Sequence, residues 1–170
     1  IVVEADKLNV LLEHLLTVKE NQCLSEFVNG IHEDDEYDIN TPVSVTDDAP
    51  IVKYVNKILL DAIKQGVSDI HFEPYDKEYR IRYRQDGILD EIISPPASLA
   101  ARITSRIKIM SYLDISERRI PQDGGFKMKI SQTKTINFRV STCPTTAGEK
   151  VVIRILDSGF VKLGIDALGF

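Results

Sequence analysis

The chain has 170 residues, 43% of them hydrophobic, enough for one ordinary domain with its own core plus an appendage. No run approaches the 18 consecutive apolar residues of a membrane-spanning helix, and the opening Ile1-Val2-Val3-Glu4 has no basic region of the kind that begins a signal peptide. The net charge of -5 hides an asymmetry: residues 1–50 carry 12 acids and 2 bases, whereas residues 51–170 carry 14 acids and 19 bases. A sign change of this size separates two units, the second of which suits anions or acidic protein surfaces.

The first unit is residues 1–46. Leu8, Leu11, Leu12, Leu15 and Leu16 recur at helical spacing and predict a short amphipathic helix over 4–18. The acid run Glu33-Asp34-Asp35-Glu36-Tyr37-Asp38 has little to bury and reads as exposed linker. Cys23 and Cys143 form no metal-ligand spacing, and two cysteines suit a reducing cytoplasm better than a disulfide framework, with a bridge between them left open. The missing initiator Met and the stop at Phe170 suggest a fragment of a longer chain.

The second unit is residues 47–158, with 159–170 as a linker into a further domain. An aspartate cap at Asp47 or Asp48 and Pro50 in the first turn open a helix. Ile51, Val55, Ile58, Leu59, Ala62 and Ile63 keep its 3.6 period, and Gly66 ends it. Asp69 to Glu73 and Tyr79 to Tyr83 alternate as strands, Gln85-Asp86-Gly87 turns the chain, and Ile88 to Ile93 completes an antiparallel meander. After Pro95-Pro96, the stripe Leu99, Ile103, Ile107 and Met110 predicts a second helix. Pro121 to Gly125 reads as a turn, and strands follow at Phe126–Ile130, Thr135–Thr142 and Val151–Leu156. Helices that alternate with whole hairpins predict an α+β fold: two helices packed on an antiparallel sheet built from two three-stranded groups, preceded by a short helix and an acidic linker.

The candidate chemistry is basic. Arg80, Arg82 and Arg84 share one strand face, where they need acids or an anion between them. Asp86, Asp90 and Glu91 are the local acids expected to neutralise them, and phosphate is the ligand their forks would match. Arg102 and Arg106 lie one turn apart beside the buried helical stripe. Arg118 and Arg119 are placed to bridge to Asp114 or Glu117, and the stems of Arg139 and Arg154 can cover a core edge. Asp69, His71 and Glu73 alternate on one face, which is the best acid–base or metal spacing available, although a His tied to its neighbouring acids or to Arg82 is the commoner arrangement. Cys143, between Thr142 and Pro144, reads as a small buried hydrophobe. The strand aromatics read as core, and a unit of only +5 with no long basic run argues against nucleic acid. There is no G-x-x-x-x-G-K-[ST] phosphate loop, no G-x-G-x-x-G, no G-x-S-x-G and no H-E-x-x-H.

Four ordered stretches, Ser68-Asp69-Ile70-His71-Phe72-Glu73-Pro74, Arg82-Tyr83-Arg84-Gln85-Asp86-Gly87, Leu113 through Gly124, and Phe138 through Lys150, resemble the second N-terminal domain of the type II secretion and type IV pilus assembly ATPases (GspE/PilB). The resemblance covers about 47–170 and, more loosely, 1–46. It implies a cytoplasmic hexameric motor that hydrolyses ATP with Mg²⁺, associates peripherally with the inner membrane through secretion or pilus platform proteins, and contacts neighbouring subunits of a homo-hexamer. The phosphate loop and a Cys₄ zinc site belong to the family's C-terminal domain, for which Leu163 to Phe170 resembles the lead-in, so the fragment alone would not be catalytic. By motif position Arg84 matches an arginine lent to the nucleotide phosphates, and Arg102 and Arg106 lie where others would be. Gly125 stands where the family often has arginine, and Cys143 replaces a larger apolar residue. A pure subunit-interaction module without nucleotide contact, and a small enzyme built on His71, are the alternatives.

Overall fold

The computed structural model describes residues 49–131 and 134–156. The expected leading helix, the acidic linker, Cys23 and the 159–170 lead-in lie outside the described residues. Nine elements follow in order: α1 (Ala49–Lys64), β1 (Asp69–Pro74), β2 (Tyr79–Gln85), β3 (Ile88–Ile93), a single 3₁₀ turn (Ala97–Leu99) running into α2 (Ala100–Met110), β4 (Gln122–Lys129), β5 (Thr135–Thr145) and β6 (Gly148–Leu156).

The strands form one six-stranded antiparallel sheet in the order β3-β2-β1-β6-β5-β4. It consists of two meanders joined where β1 pairs with β6, so the expected α+β architecture with two three-stranded groups holds. Strand parity sets the two faces of the sheet. Ile70, Phe72, Ile81, Phe138, Val140 and Ile153 point to one side and are buried there beneath Val55, Ile58 and Leu59 of α1 and Ile103 and Ile107 of α2. The rings of Phe126 and Phe138 stack 4.7 Å apart across β4 and β5. Both helices therefore cover the same face, and among the described residues nothing covers the other, open face.

Local chemistry explains the joints. Gly66 takes φ +70 at the end of α1, and Val67 N–H donates back to Ala62 O at 3.0 Å, which satisfies carbonyls the helix end leaves free. Tyr83 Oη donates to Ile58 O at 2.7 Å and ties β2 to α1. The β2–β3 turn has positive φ at both Asp86 (50) and Gly87 (86), the geometry that matches the twist of paired strands.

Two local expectations are corrected. Gln122 to Gly125 form the start of β4 and not a turn. The glycines serve close approach: a Cβ on Gly125 would lie 2.6 Å from Phe138 O, and one on Gly124 2.8 Å from Ser111 O. Cys143 is exposed. On β5 the helix-facing positions are Ile136, Phe138, Val140 and Thr142, so parity turns position 143 to the open face.

Between α2 and β4 the chain makes a structured loop. Lys108 is buried on α2, where its Nζ donates to Glu117 O at 2.7 Å and pairs with Glu149 Oε1 at 2.5 Å. Gln122 clamps the same loop from the other side: its Oε1 accepts from Asp114 N–H at 2.9 Å and its Nε2 donates to Asp114 O and Glu117 O, both at 3.0 Å. Arg119 bonds Glu117, as expected, through Nη2 at 3.1 Å, and these bonds hold the Glu117 carboxyl down at about 2.

Candidate functional site

The open sheet face is where the charged strand residues meet. Arg80, Arg82 and Arg84 alternate with the buried Tyr79, Ile81 and Tyr83, so their shared face is as read from the sequence. Asp69, His71 and Glu73 lie on that same face of β1, directly across from them: the register pairs Asp69 with Arg84, His71 with Arg82 and Glu73 with Arg80. The acids that neutralise the arginines come mainly from this neighbouring strand and not from Asp86 or Asp90. Only Glu91, of the three acids expected, makes a described pair, at 3.6 Å from Arg80 Nε. Arg80 also pairs with Glu78 and stacks its guanidinium over the Tyr75 ring at 4.8 Å.

Glu73 is the hub. It is buried, and Arg82 grips it with a fork, Nε to Oε2 at 2.9 Å and Nη2 to Oε1 at 3.0 Å. Lys150 Nζ lies 2.8 Å from Oε1, and Tyr75 Oη donates to Oε2 at 3.3 Å. Burial works to raise the Glu73 carboxyl, but the bonds from Arg82 and Lys150 outweigh it and hold it at about 2. Asp69 is a second, similar hub. Its Oδ1 accepts from Arg154 Nε at 2.8 Å and its Oδ2 from Ser68 Oγ at 3.0 Å, with Arg84 Nε at 3.6 Å. Burial again opposes ionisation of Asp69, and the Arg154 and Ser68 bonds prevail to lower its pKa.

His71 sits between the hubs, its Nδ1 3.6 Å from Glu73 Oε1. Burial and then the charge of Lys150 depress its pKa, which outweighs the attraction of Glu73 and Asp69 and leaves the ring neutral near pH 7. One surface depression takes in Asp69 and another Glu73, and neither includes His71. With its oxygens already accepting from Arg82, Lys150 and Tyr75, Glu73 is poorly placed to move a proton, which weakens the acid–base reading of this trio. Among the described residues no group of three His, Cys, Asp or Glu could hold a metal ion.

Arg84 differs from its neighbours. Nη1 donates to Gly87 O at 2.9 Å, and the side chain is 35% exposed. Its closest carboxylate is the 3.6 Å approach to Asp69, which Arg154 holds more tightly. The guanidinium thus stands at the hairpin end of the open face on a carbonyl and a loose pair. Arg102 and Arg106 are half-buried on α2, in the helix layer on the other side of the sheet. The structure therefore does not bring all three candidate arginines onto one face. It does bring Arg139 and Arg154 onto the face of Arg84: Arg84, Asp69, Arg154 and Arg139 are successive register partners across β2, β1, β6 and β5. A shallow depression of about 260 Å³ lies among Asp69, Arg139, Ser141, Val152 and Arg154. Sequence reasoning placed Arg139 and Arg154 in strands but assigned them no part in a site. Their parity within β5 and β6 was the signal available.

A second exposed feature flanks the α2–β4 loop. Ile109, Tyr112, Ile115 and Ile120 are exposed, Tyr112 to 91% and at φ 57. Among the described residues no helix is long and apolar enough to cross a membrane.

Comparison with known proteins gives this geometry a family. The family model described as "Type II/IV secretion system protein" matches residues 44–170. The chain is 63% identical over 124 residues to the type IV pilus assembly ATPase PilB of Pseudomonas aeruginosa, covering 73% of this chain and 22% of the relative. It is 51% identical over 177 residues to the PilB of Acinetobacter baylyi, covering 100% of this chain and 30% of the relative. To the type II secretion system ATPase E of Vibrio cholerae it is 46% identical over 123 residues, covering 72% of this chain and 24% of the relative. The chain thus spans less than a third of the length of these relatives. Its described residues, with their open arginine-bearing sheet face, lie within the matched region, and the chain belongs to the type II/IV secretion system protein family.

Proposed function

We propose that this chain is the arginine-donating portion of an ATP-driven motor for type IV pilus assembly, with nucleotide and Mg²⁺ gripped mainly by another domain of the same machine. Arg84 would reach a phosphate of that nucleotide and stabilise charge that develops as the phosphoryl group leaves. The observation that carries this reading is the footing of Arg84: a partly exposed side chain beside the β2–β3 turn, bonded to a backbone carbonyl and only loosely paired with a carboxylate. A fork held in this way can exchange Gly87 O for a phosphate oxygen without leaving a buried acid unpaired, because Arg154 keeps Asp69. Arg82 is unsuited, since removing it strips a buried carboxylate of its main partner. Arg102 and Arg106 belong to a different surface, and any nucleotide contact they make would be separate from that of Arg84.

The relatives named for pilus assembly are 51% and 63% identical to this chain and the secretion relative 46%, which favours a pilus motor. The same reading makes the parent a cytoplasmic homo-hexamer that works against platform proteins at the inner membrane. In a longer protein that includes the phosphate-loop domain, Arg84→Ala should lower kcat by about a hundredfold or more while the fold persists. Unchanged turnover would overturn the assignment.

A second reading is a subunit-docking module whose arginines never meet nucleotide. The exposed Ile109, Tyr112, Ile115 and Ile120, all within one stretch of chain around the α2–β4 loop, favour it, because large apolar side chains left at the surface suit a contact site. Tyr112→Ser in the longer protein would then weaken assembly, whereas Arg84→Ala would leave turnover of the assembled form intact.

A further inference from the structure

The row that crosses the open face carries three guanidinium groups, from Arg84, Arg154 and Arg139, and one carboxylate, from Asp69. Arg154 and Arg139 are direct register partners on neighbouring strands, an arrangement of like charge that weakens a sheet unless an anion lies between them. Asp69 serves Arg154 and Arg84, and Arg139 has only a 3.7 Å approach to Asp123, with both Arg139 and Asp123 64% exposed. Ser141, whose hydroxyl donates to Asp123 Oδ1, completes the rim of the depression between the two arginines. Among the described residues the row is therefore short of negative charge.

The chain contains that charge elsewhere. Glu33-Asp34-Asp35-Glu36-Tyr37-Asp38 places five acids and no base in six residues. We infer that the Arg84–Arg154–Arg139 row is a docking surface for an acidic peptide, and that its occupant is this run of the same chain. Carboxylates match the forks of the exposed guanidiniums. The run ends 11 residues before Ala49, where α1 begins. Eleven residues of extended chain reach about 36 Å, whereas a six-stranded sheet is only about 24 Å wide between its outer strands. A route of about 12 Å out to an edge, about 10 Å between the layers and about 12 Å back lies just within that reach, so the tether can pass from the helix layer around an edge to the open face. A short tether holds its ligand at an effective concentration in the millimolar range, so individually weak exposed pairs are enough to populate the contact. The inference concerns the row as a whole and does not rest on the nucleotide role proposed for Arg84; its test uses no nucleotide.

Cys143 provides the probe, because it is exposed on this same face. In the whole 170-residue chain carrying Cys23→Ser, a nitroxide on Cys143 should cause loss of the amide NMR signals of residues 33–38. The loss should be large at about 10 mM salt, where charges act over about 30 Å, and should vanish at about 1 M, where they act over about 3 Å. It should also vanish at low salt in Arg139→Glu, whose sheet signals report that the fold is retained. Signals of 33–38 that weaken no more than those of 4–18 would overturn the inference, as would a loss that survives high salt. A second sample mixes nitroxide-bearing chains with isotope-labelled chains that carry none; signal loss there would make a second copy the source of the acidic run and overturn the choice of occupant.

Discussion

Arg84 Nη1 donates to Gly87 O at 2.9 Å, so the arginine is folded onto the turn that its own strand leads into. That turn needs positive φ at Asp86 and Gly87, and it presents the Gly87 carbonyl to the open face. The basic group and its carbonyl partner therefore come from one hairpin, and neither depends on the helix layer. Arg84→Ala should change stability by no more than about 0.5 kcal/mol, as is usual for a surface site, because Arg154 keeps the buried Asp69 paired. A urea midpoint displaced well beyond this would mean that Arg84 is structural.

Glu73 should behave in the opposite way. Its buried carboxylate joins β1, β2 and β6 through Arg82 and Lys150. Glu73→Gln keeps the shape and removes the charge, and should destabilise the domain by about 2–4 kcal/mol. Urea unfolding measures this directly, and an unchanged midpoint would contradict the hub.

Acid should act on the same hub. The folded-state pKa of Glu73 is depressed from 4.5 to about 2, so the ionised carboxylate contributes stability above pH 4.5 that is lost as pH falls toward 2. Asp69 is lowered in the same sense from 3.8. His71 is lowered from 6.5, so the unfolded chain takes up its proton first and stability begins to fall as pH drops below 6.5. The domain should be most stable above pH 6.5 and weaken in two stages on acidification. Glu73→Gln should shrink the lower stage and His71→Asn should remove the upper one. Unfolding midpoints across this range decide the matter, and stability that rises on acidification would contradict the assignment.

Lys108 and Glu149 form a buried pair that holds the α2–β4 loop. Lys108→Met should cost about 3–5 kcal/mol by leaving Glu149 without its cation. Adding Glu149→Gln should restore part of this, and the double-mutant cycle reads the coupling. Independent, additive effects would show that the two residues do not act as a pair.

Much of the fold was legible. The 3.6 period of Ile51 to Ile63 and the alternation of Tyr79 to Tyr83 located α1 and β2, because each buries one face and exposes the other. Gln122 to Gly125 misled, because a proline followed within a few residues by Asp-Gly-Gly signals a turn, whereas here Gly125 lets β4 approach Phe138 O. The arginines of β2 were visible as a set, but their partners Asp69 and Glu73 depend on strand register, which local sequence does not specify. The Asp69–Arg154 bond spans 85 positions and exists only because β1 pairs with β6. Lys108 lies beside the apolar stripe of α2, and nothing in the linear pattern distinguishes it from a solvated lysine. The clamp made by Gln122 was equally invisible, since it works through backbone groups of a loop.

Gly125 tests the close approach itself. Gly125→Ala places a Cβ against the backbone of Phe138 and should cost about 1–3 kcal/mol. A neutral effect would mean that β4 moves away from β5 freely at this point.

The proposed role of Arg84 requires its guanidinium to move when nucleotide is present. The most direct measurement is its position in a structure of the longer protein with a non-hydrolysable ATP analogue bound. Arg84 should leave Gly87 O and donate to a phosphate oxygen at about 2.7–2.9 Å. Arg84 still on Gly87 O, with every phosphate oxygen out of reach in each subunit, would contradict it.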